Sequence, residues 1–329
     1  MGQLIKLQDY VSRYEQNIYL YPSRYVRLKK QHWVKLKDAW ESNDDSFFTD
    51  QSHQDTSDWL EEEKKPLMDK LKGFWKLGRK EEEEEVPFHS ELDQVNEEES
   101  HEEGSFQFET SFTFRPDTEE ELKHHYLDQL FRFQMKWASS TLTEKSFVDK
   151  QFYYDERLKF FLQRFPDTFL ILYSPLFLLK KAPVEVETII LSPTGVWCIS
   201  MLEEEDSSVY IGSKERFWVK RVNGQEKKIL NPLLALNRTA KIVQQIFRMN
   251  DIDFPIHKAV LCRNGYIDHP AAPFDIQLIE KRNYDEWFKN MRNLRSPLKH
   301  VQLKGAQALL QYCQTVSIRR LEWELPDEN

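Results

Sequence analysis

Apolar residues recur at spacings of three and four through the start of the chain: Leu4, Leu7, Val11, Tyr14, Ile18 and Tyr21. That spacing traces one face of a 3.6-residue period and predicts a helical N-terminal segment over residues 1–40. Pro22-Ser23 interrupts the pattern. A basic stretch follows, RYVRLKKQHWVKLKDAW, with Trp33 and Trp40 seven positions apart. Basic residues interleaved with aromatics can grip phosphates and stack on bases. The plainer and preferred reading is an amphipathic helix that packs its aromatic stripe on the body.

From Pro116 onward the pattern is that of a packed domain, 116–329. Thr118-Glu-Glu-Glu121 forms a capping-box sequence, and Leu122, Tyr126, Leu130, Phe133 and Trp137 continue a helical period. A second helix is expected from Thr143 to Phe165, ended by Pro166. The period then changes to short β-rich runs at 168–174, 184–192 and 195–202, the last two joined through a turn at Pro193-Thr194-Gly195. A further strand is expected around Trp218-Val219. Asn231-Pro232 opens a long helix through Phe247, strands are expected near 257–262 and 274–280, and helices near 284–293 and 302–316. Helix, strands, helix, strands, helix in that order predicts an α/β fold, a mixed sheet flanked by helices.

Composition narrows this picture in three ways. The 329 residues are 40% hydrophobic and 13% aromatic, enough for a sizeable core, while 9 Gly and 14 Pro exclude collagen-like and Gly/Pro low-complexity chains. No apolar run approaches the ~20 residues that span a bilayer, and MGQLIKLQDY lacks the basic-then-apolar layout of a secretion signal. Lys6 breaks the N-myristoylation pattern, so a cytoplasmic location is expected. Cys198, Cys262 and Cys313 are isolated, and they form neither a disulfide framework nor a zinc knuckle.

Charge is distributed unevenly. Residues 41–110 hold 23 acidic against 7 basic residues, net −16, which leaves 39 basic against 32 acidic elsewhere, net +7. The segment 41–115 reads as an acidic, largely disordered insert, with one basic amphipathic stretch at 64–80, KKPLMDKLKGFWKLGRK. Such a stretch can dock on a partner, a membrane surface or its own neighbours.

The informative run is VEVETIILSPTGVWCIS, followed by ERFWVK and then ILNPLLALNRTAKIVQQIF. Across roughly residues 150–265 it resembles the nuclease-related domain (NERD) family, a branch of the PD-(D/E)xK nuclease fold. The resemblance implies a restriction-endonuclease-like sheet. It also implies a Mg²⁺ or Mn²⁺ site built from an acid on one strand and Glu-x-Lys on the next. A hairpin suits that chemistry, because residues two apart on a strand share a face, and Mg²⁺ wants carboxylate oxygens to activate water for phosphodiester cleavage. On that pattern the first acid falls at Glu187, the Glu of Glu-x-Lys at Ser200 and the Lys at Leu202. The upstream helix acid falls at Glu156, and the glutamine often found in the next helix falls near Ala235. The frame residues Pro193, Gly195, Trp218, Asn231 and Pro232 are intact.

A serine hydroxyl is a poor carboxylate substitute on Mg²⁺, and leucine can neither orient water nor offset charge. Glu204 has the parity of Ser200 and Leu202 and is the remaining candidate ligand beside Glu187, but it belongs to an acidic run that reads as a solvated loop. The leading expectation is therefore a catalytically inactive nuclease scaffold used for binding or regulation, with nucleic acid as a partner and no resident cofactor. A second reading makes residues 41–110 the working part, docking a protein partner or masking a basic body. A third keeps an active nuclease with Glu187, Glu204 or Glu156 as ligands. Nothing else competes. His124 and His125 diverge on their helix, and His257 and His269 lack partners at ligand spacing. Cys198 reads as a buried, inert thiol, and no phosphate-binding Gly loop or nucleophile elbow is present.

Overall fold

The computed structural model describes residues 1–43, 115–179, 182–202, 207–294 and 296–320. Almost all of the expected acidic insert, with its stretch at 64–80, lies outside the described residues, as does Glu204. The chain divides into two compact units, Met1–Trp33 with Glu120–Asn329, and Val34–Glu119. In the second, the Trp40 indole donates to the carbonyl of Pro116 at 2.8 Å, and Lys37 pairs with Glu41 and Glu119.

The elements in chain order are β1 (Gln3–Leu7), α1 (Arg13–Gln16), α2 (Tyr21–Glu41), α3 (Glu119–Trp137), β2 (Glu144–Lys145), α4 (Glu156–Arg164), β3 (Leu170–Tyr173), β4 (Leu176–Phe177), β5 (Val184–Glu185), β6 (Thr188–Leu191), β7 (Val196–Met201), β8 (Val209–Ile211), β9 (Phe217–Val222), β10 (Gln225–Leu230), α5 (Pro232–Met249), β11 (Ile256–Leu261), β12 (Tyr266–Asp268), β13 (Ile276–Ile279), α6 (Tyr284–Arg292), α7 (His300–Gln311) and β14 (Ile318–Arg319). Six strands form a mixed sheet in the order β1-β3-β6-β7-β11-β13. Only β6 runs against its neighbours. A smaller sheet has the order β10-β9-β8-β12.

Strand alternation decides which helices cover which face. Ile171, Ile190, Trp197, Ile199, Ala259 and Ile279 pack with Phe131 and Met135 of α3, Leu158 and Phe161 of α4, and Phe288 and Met291 of α6. The opposite parity faces α5 and α7. Gly305 of α7, for example, sits so close to Phe247 and Leu191 that an added Cβ would lie 3.2 Å from the Phe247 ring. The fold is the expected mixed α/β sheet flanked by helices.

Several local expectations change. Leu4 and Leu7 belong to a strand, not a helix, and all five residues of β1 are buried; the helical part of the N-terminal segment is α1 and α2. Five residues are too few to separate one period from another, and the pairing partner, β3, lies more than 160 residues away. The amide of Gln134 stands in for a neighbouring strand: its Oε1 accepts from the Leu4 N–H at 2.6 Å and its Nε2 donates to the Gly2 carbonyl at 2.8 Å. Pro22 opens α2 rather than breaking a helix, since its missing N–H costs nothing in a first turn. The expected helix over 143–165 is three pieces: β2, a 3₁₀ turn (Lys150–Tyr154) and α4. Asp149 and Asp155 each cap a new start, accepting from the N–H groups of Gln151 and of Arg157 and Leu158. The run 184–192 is split into β5 and β6, and the last helix ends at Gln311. The edge strand β10, QEKKIL, was hidden by its exposed charges. No helix among the described residues is long and apolar enough to cross a membrane.

Replacing Gln134 with Leu strands the Leu4 N–H and the Gly2 carbonyl in the core. Urea unfolding of Q134L is expected to show a loss of about 2–4 kcal/mol. Removing the exposed Arg221–Glu226 pair by R221A is expected to change stability by less than about 1 kcal/mol.

Candidate functional site

The hairpin β6–β7 is held at its turn by a small side chain. Ser192 Oγ donates to the Gly195 carbonyl at 2.8 Å and accepts from the Gly195 N–H at 3.2 Å. Gly195 is required there by space: a Cβ would fall 2.9 Å from the Pro255 carbonyl and 2.8 Å from the His257 ring. The frame downstream is equally tight. Asn231 caps α5, accepting from the Leu233 N–H at 3.0 Å, while its Nδ2 donates to the Glu215 carbonyl at 2.8 Å. Trp218 is fully buried and donates to the Ser213 carbonyl at 3.0 Å. These contacts fasten the start of α5 to the loop before β9.

The register pairs Thr188 with Ile199, which places Glu187 directly across from Ser200 at the open end of the hairpin. Ser200 is 4% exposed, and its side chain lies close enough to the Glu187 carboxyl to favour the charged form. The Glu187 N–H donates to Thr239 Oγ1 of α5 at 3.0 Å, so strand and helix are joined at this residue. Burial raises the Glu187 pKa above the ordinary glutamate range. The Ser200 hydroxyl and the nearby Arg238 draw it back, Glu185 pushes it up, and Arg157 lowers it. The neutral acid is thus favoured by its surroundings, and the charges that oppose this are guanidinium groups.

The other sequence candidates do not join this pair. Leu202 lies just past β7, its N–H donating to the Leu261 carbonyl at 2.8 Å. Glu156 opens α4 with its side chain 79% exposed, paired with Lys159. Its neighbour Asp155 points inward instead: beyond capping α4 it accepts from the Tyr173 hydroxyl at 2.5 Å. Burial first, and then this bond, raise the Tyr173 pKa. Lys258 of β11 pairs with Cys198 in the ladder, on the face of Ser200, but its ammonium is held by Asn237 of α5 at 2.8 Å and Asp275 at 2.5 Å. Cys198 is fully buried, its thiol pushed up to about 12 by burial, as suits an inert core residue.

A divalent ion needs at least one or two ionised carboxylates turned toward it. Here burial raises the pKa of one carboxyl, the opposite position offers a hydroxyl in place of a second carboxylate, and two guanidinium groups add positive charge. This donor set suits an anion better than Mg²⁺ or Mn²⁺. Among the described residues no group of three or more His, Cys, Asp or Glu could hold a metal ion. Sequence reasoning missed Asp155, Arg157, Tyr173 and Arg238. Two signals were available. Asp155 is an N-cap residue directly before Glu156, and Arg238 lies one helical turn beyond Ala235, where the resemblance places a polar side chain.

Residues 150–262 match the nuclease-related domain (NERD) family. A Geobacillus stearothermophilus protein named RNA 2′,3′-cyclic phosphodiesterase is 33% identical over 136 residues, which make up 41% of this chain and 36% of that protein. The chain therefore spans well under two thirds of that relative. No solved structure matches the chain.

Glu187 raised above the ordinary value of 4.5 means that the folded chain holds a proton which the unfolded chain releases. The contribution of this group to stability is therefore highest below that value and falls as pH rises through the raised one. Denaturation across pH is expected to show E187Q matching the parent near pH 4, gaining on it as pH rises above 4.5, and holding a constant lead once the acid is ionised in the folded chain too. A gap that shrinks with rising pH would contradict the burial of this acid.

Proposed function

With a nuclease-related domain over residues 150–262 as the premise, we propose that this chain is a nuclease scaffold that binds nucleic acid without metal-dependent hydrolysis. The observation that carries the reading is Ser200, whose hydroxyl faces Glu187 where the family pattern calls for the second carboxylate. Leu202 in place of the lysine removes the ammonium that would orient water or offset charge on a scissile phosphate. Residues 41–110, net −16, belong to the same reading as a segment that competes with nucleic acid for the basic remainder or docks a protein partner. A cytoplasmic location belongs to it as well.

A second reading draws on the relative. Its printed name concerns a cyclic phosphate on RNA, and hydrolysis of such an end needs an acid–base pair and a phosphate clamp more than it needs a metal. Glu187 as the acid, with Arg157 and Arg238 beside it, supports that alternative.

One set of assays separates the readings. Plasmid and oligonucleotides are incubated with Mg²⁺ or Mn²⁺, and a 2′,3′-cyclic-phosphate-terminated RNA is incubated in EDTA. The scaffold reading expects no turnover of any of them and no heat on titration with Mn²⁺. Metal-dependent cleavage that disappears in E187A overturns it, and cleavage of the cyclic end alone replaces it with the second reading.

A further inference from the structure

We infer that Arg157 and Arg238 form a metal-free phosphate site beside the Glu187–Ser200 pair, and that a nucleic-acid strand held there continues along α5 over Lys241. The inference rests on the scaffold reading and names how that scaffold holds its ligand.

The geometry begins at the sheet edge. In open α/β sheets, ligands gather at the carboxyl ends of the parallel strands. Tyr173 ends β3, Ser200 lies near the end of β7, and the antiparallel β6 brings Glu187 to the same edge. Two helices meet this edge. Asp155 fixes the first turn of α4 against Tyr173, and Arg157 belongs to that turn. Thr239 fixes α5 against the Glu187 N–H, and Arg238 is the next residue, its Nη2 donating to the Glu185 carbonyl at 3.3 Å. A guanidinium has five donors in a planar fork, so that bond leaves others for a phosphate. Arginine suits phosphate oxygens because its fork matches their spacing.

The surface beyond Arg238 has matching chemistry. Leu234, Asn237, Arg238, Lys241, Ile242 and Gln245 line a shallow depression of about 510 Å³ along α5. Two cations and two amides line it, and no acid does. Lys241 lies about 4.5 Å further along the helix axis than Arg238, on the same side, where a second phosphate of the strand would meet it. A phosphate in this depression meets Arg238 and Lys241 and no lining carboxylate.

The test is fluorescence anisotropy of a labelled single-stranded oligonucleotide with the full chain in EDTA, across a series of NaCl concentrations. The parent is expected to bind in EDTA. The exposed double variant R238A/K241A is expected to bind at least about tenfold more weakly, with a salt slope smaller by about 1 to 2. R157A is expected to weaken binding similarly, while R157K and R238K keep part of it. K228A on β10, which does not line the depression, is expected to bind as the parent does. Sodium phosphate is expected to compete more strongly than NaCl of equal ionic strength. Equal affinity and slope in parent and R238A/K241A overturn this site and leave the scaffold reading standing. Binding that EDTA abolishes also overturns it, in favour of a metal-bridged ligand. A parent that binds no nucleic acid under any of these conditions overturns both.

Discussion

The ladder register that sets Ser200 across from Glu187 is the constraint on which the candidate site depends. It puts a hydroxyl, not a second carboxylate, beside the buried acid. Burial then favours the neutral acid. Guanidinium groups of α4 and α5 oppose that shift by favouring the charged form. In a partly buried setting such charges act over several ångströms with less screening than in water.

The pair is held by a frame that has kept its function. Ser192 and Gly195 close the hairpin, Asn231 and Trp218 fasten α5 to the loop before β9, and Thr239 ties that helix to Glu187. None of these contacts depends on a metal. They hold the hairpin and α5 together whatever side chains stand at positions 187 and 200. Packing and backbone satisfaction maintain the fold, whereas the metal centre needs only two or three side chains beyond it. The N-terminal strand extends the same sheet. It is held by the amide of Gln134 and by the buried ion pair of Lys6 with Glu15, to which the Tyr10 carbonyl and Thr315 add bonds of 2.7 Å each. A charge buried that deeply is tolerable because each of its three donors is used.

Much of this fold could be read along the chain. The long helices α3 and α5, the hairpin with its turn at Thr194, and β11 and β13 follow from apolar spacing and cap residues. The failures have separate local causes. β1 is too short for its spacing to distinguish strand from helix, α4 is separated from the segment before it by an Asp that caps rather than continues, and β10 is an edge strand whose charges face water. At the site, Glu187 and Ser200 could be paired by parity and hairpin length alone. Glu156 could not be separated from Asp155, because both precede the same helix and only packing against Tyr173 turns one of them inward.

By itself, then, the sequence determined the hairpin register, the presence of a hydroxyl and an aliphatic side chain at Ser200 and Leu202, and the contrast of an acidic 41–110 with a basic remainder. These are properties of near neighbours, set by strand alternation, turn geometry and residue type. Tertiary structure alone decided that Gln3–Leu7 join the sheet, that Lys258 is held by Asn237 and Asp275, and that Arg157 and Arg238 flank a buried acid. The physical reason is distance along the chain. Arg157 and Arg238 are eighty-one positions apart and both act on Glu187 only because α4 and α5 are packed near one sheet edge, and no local periodicity carries that information.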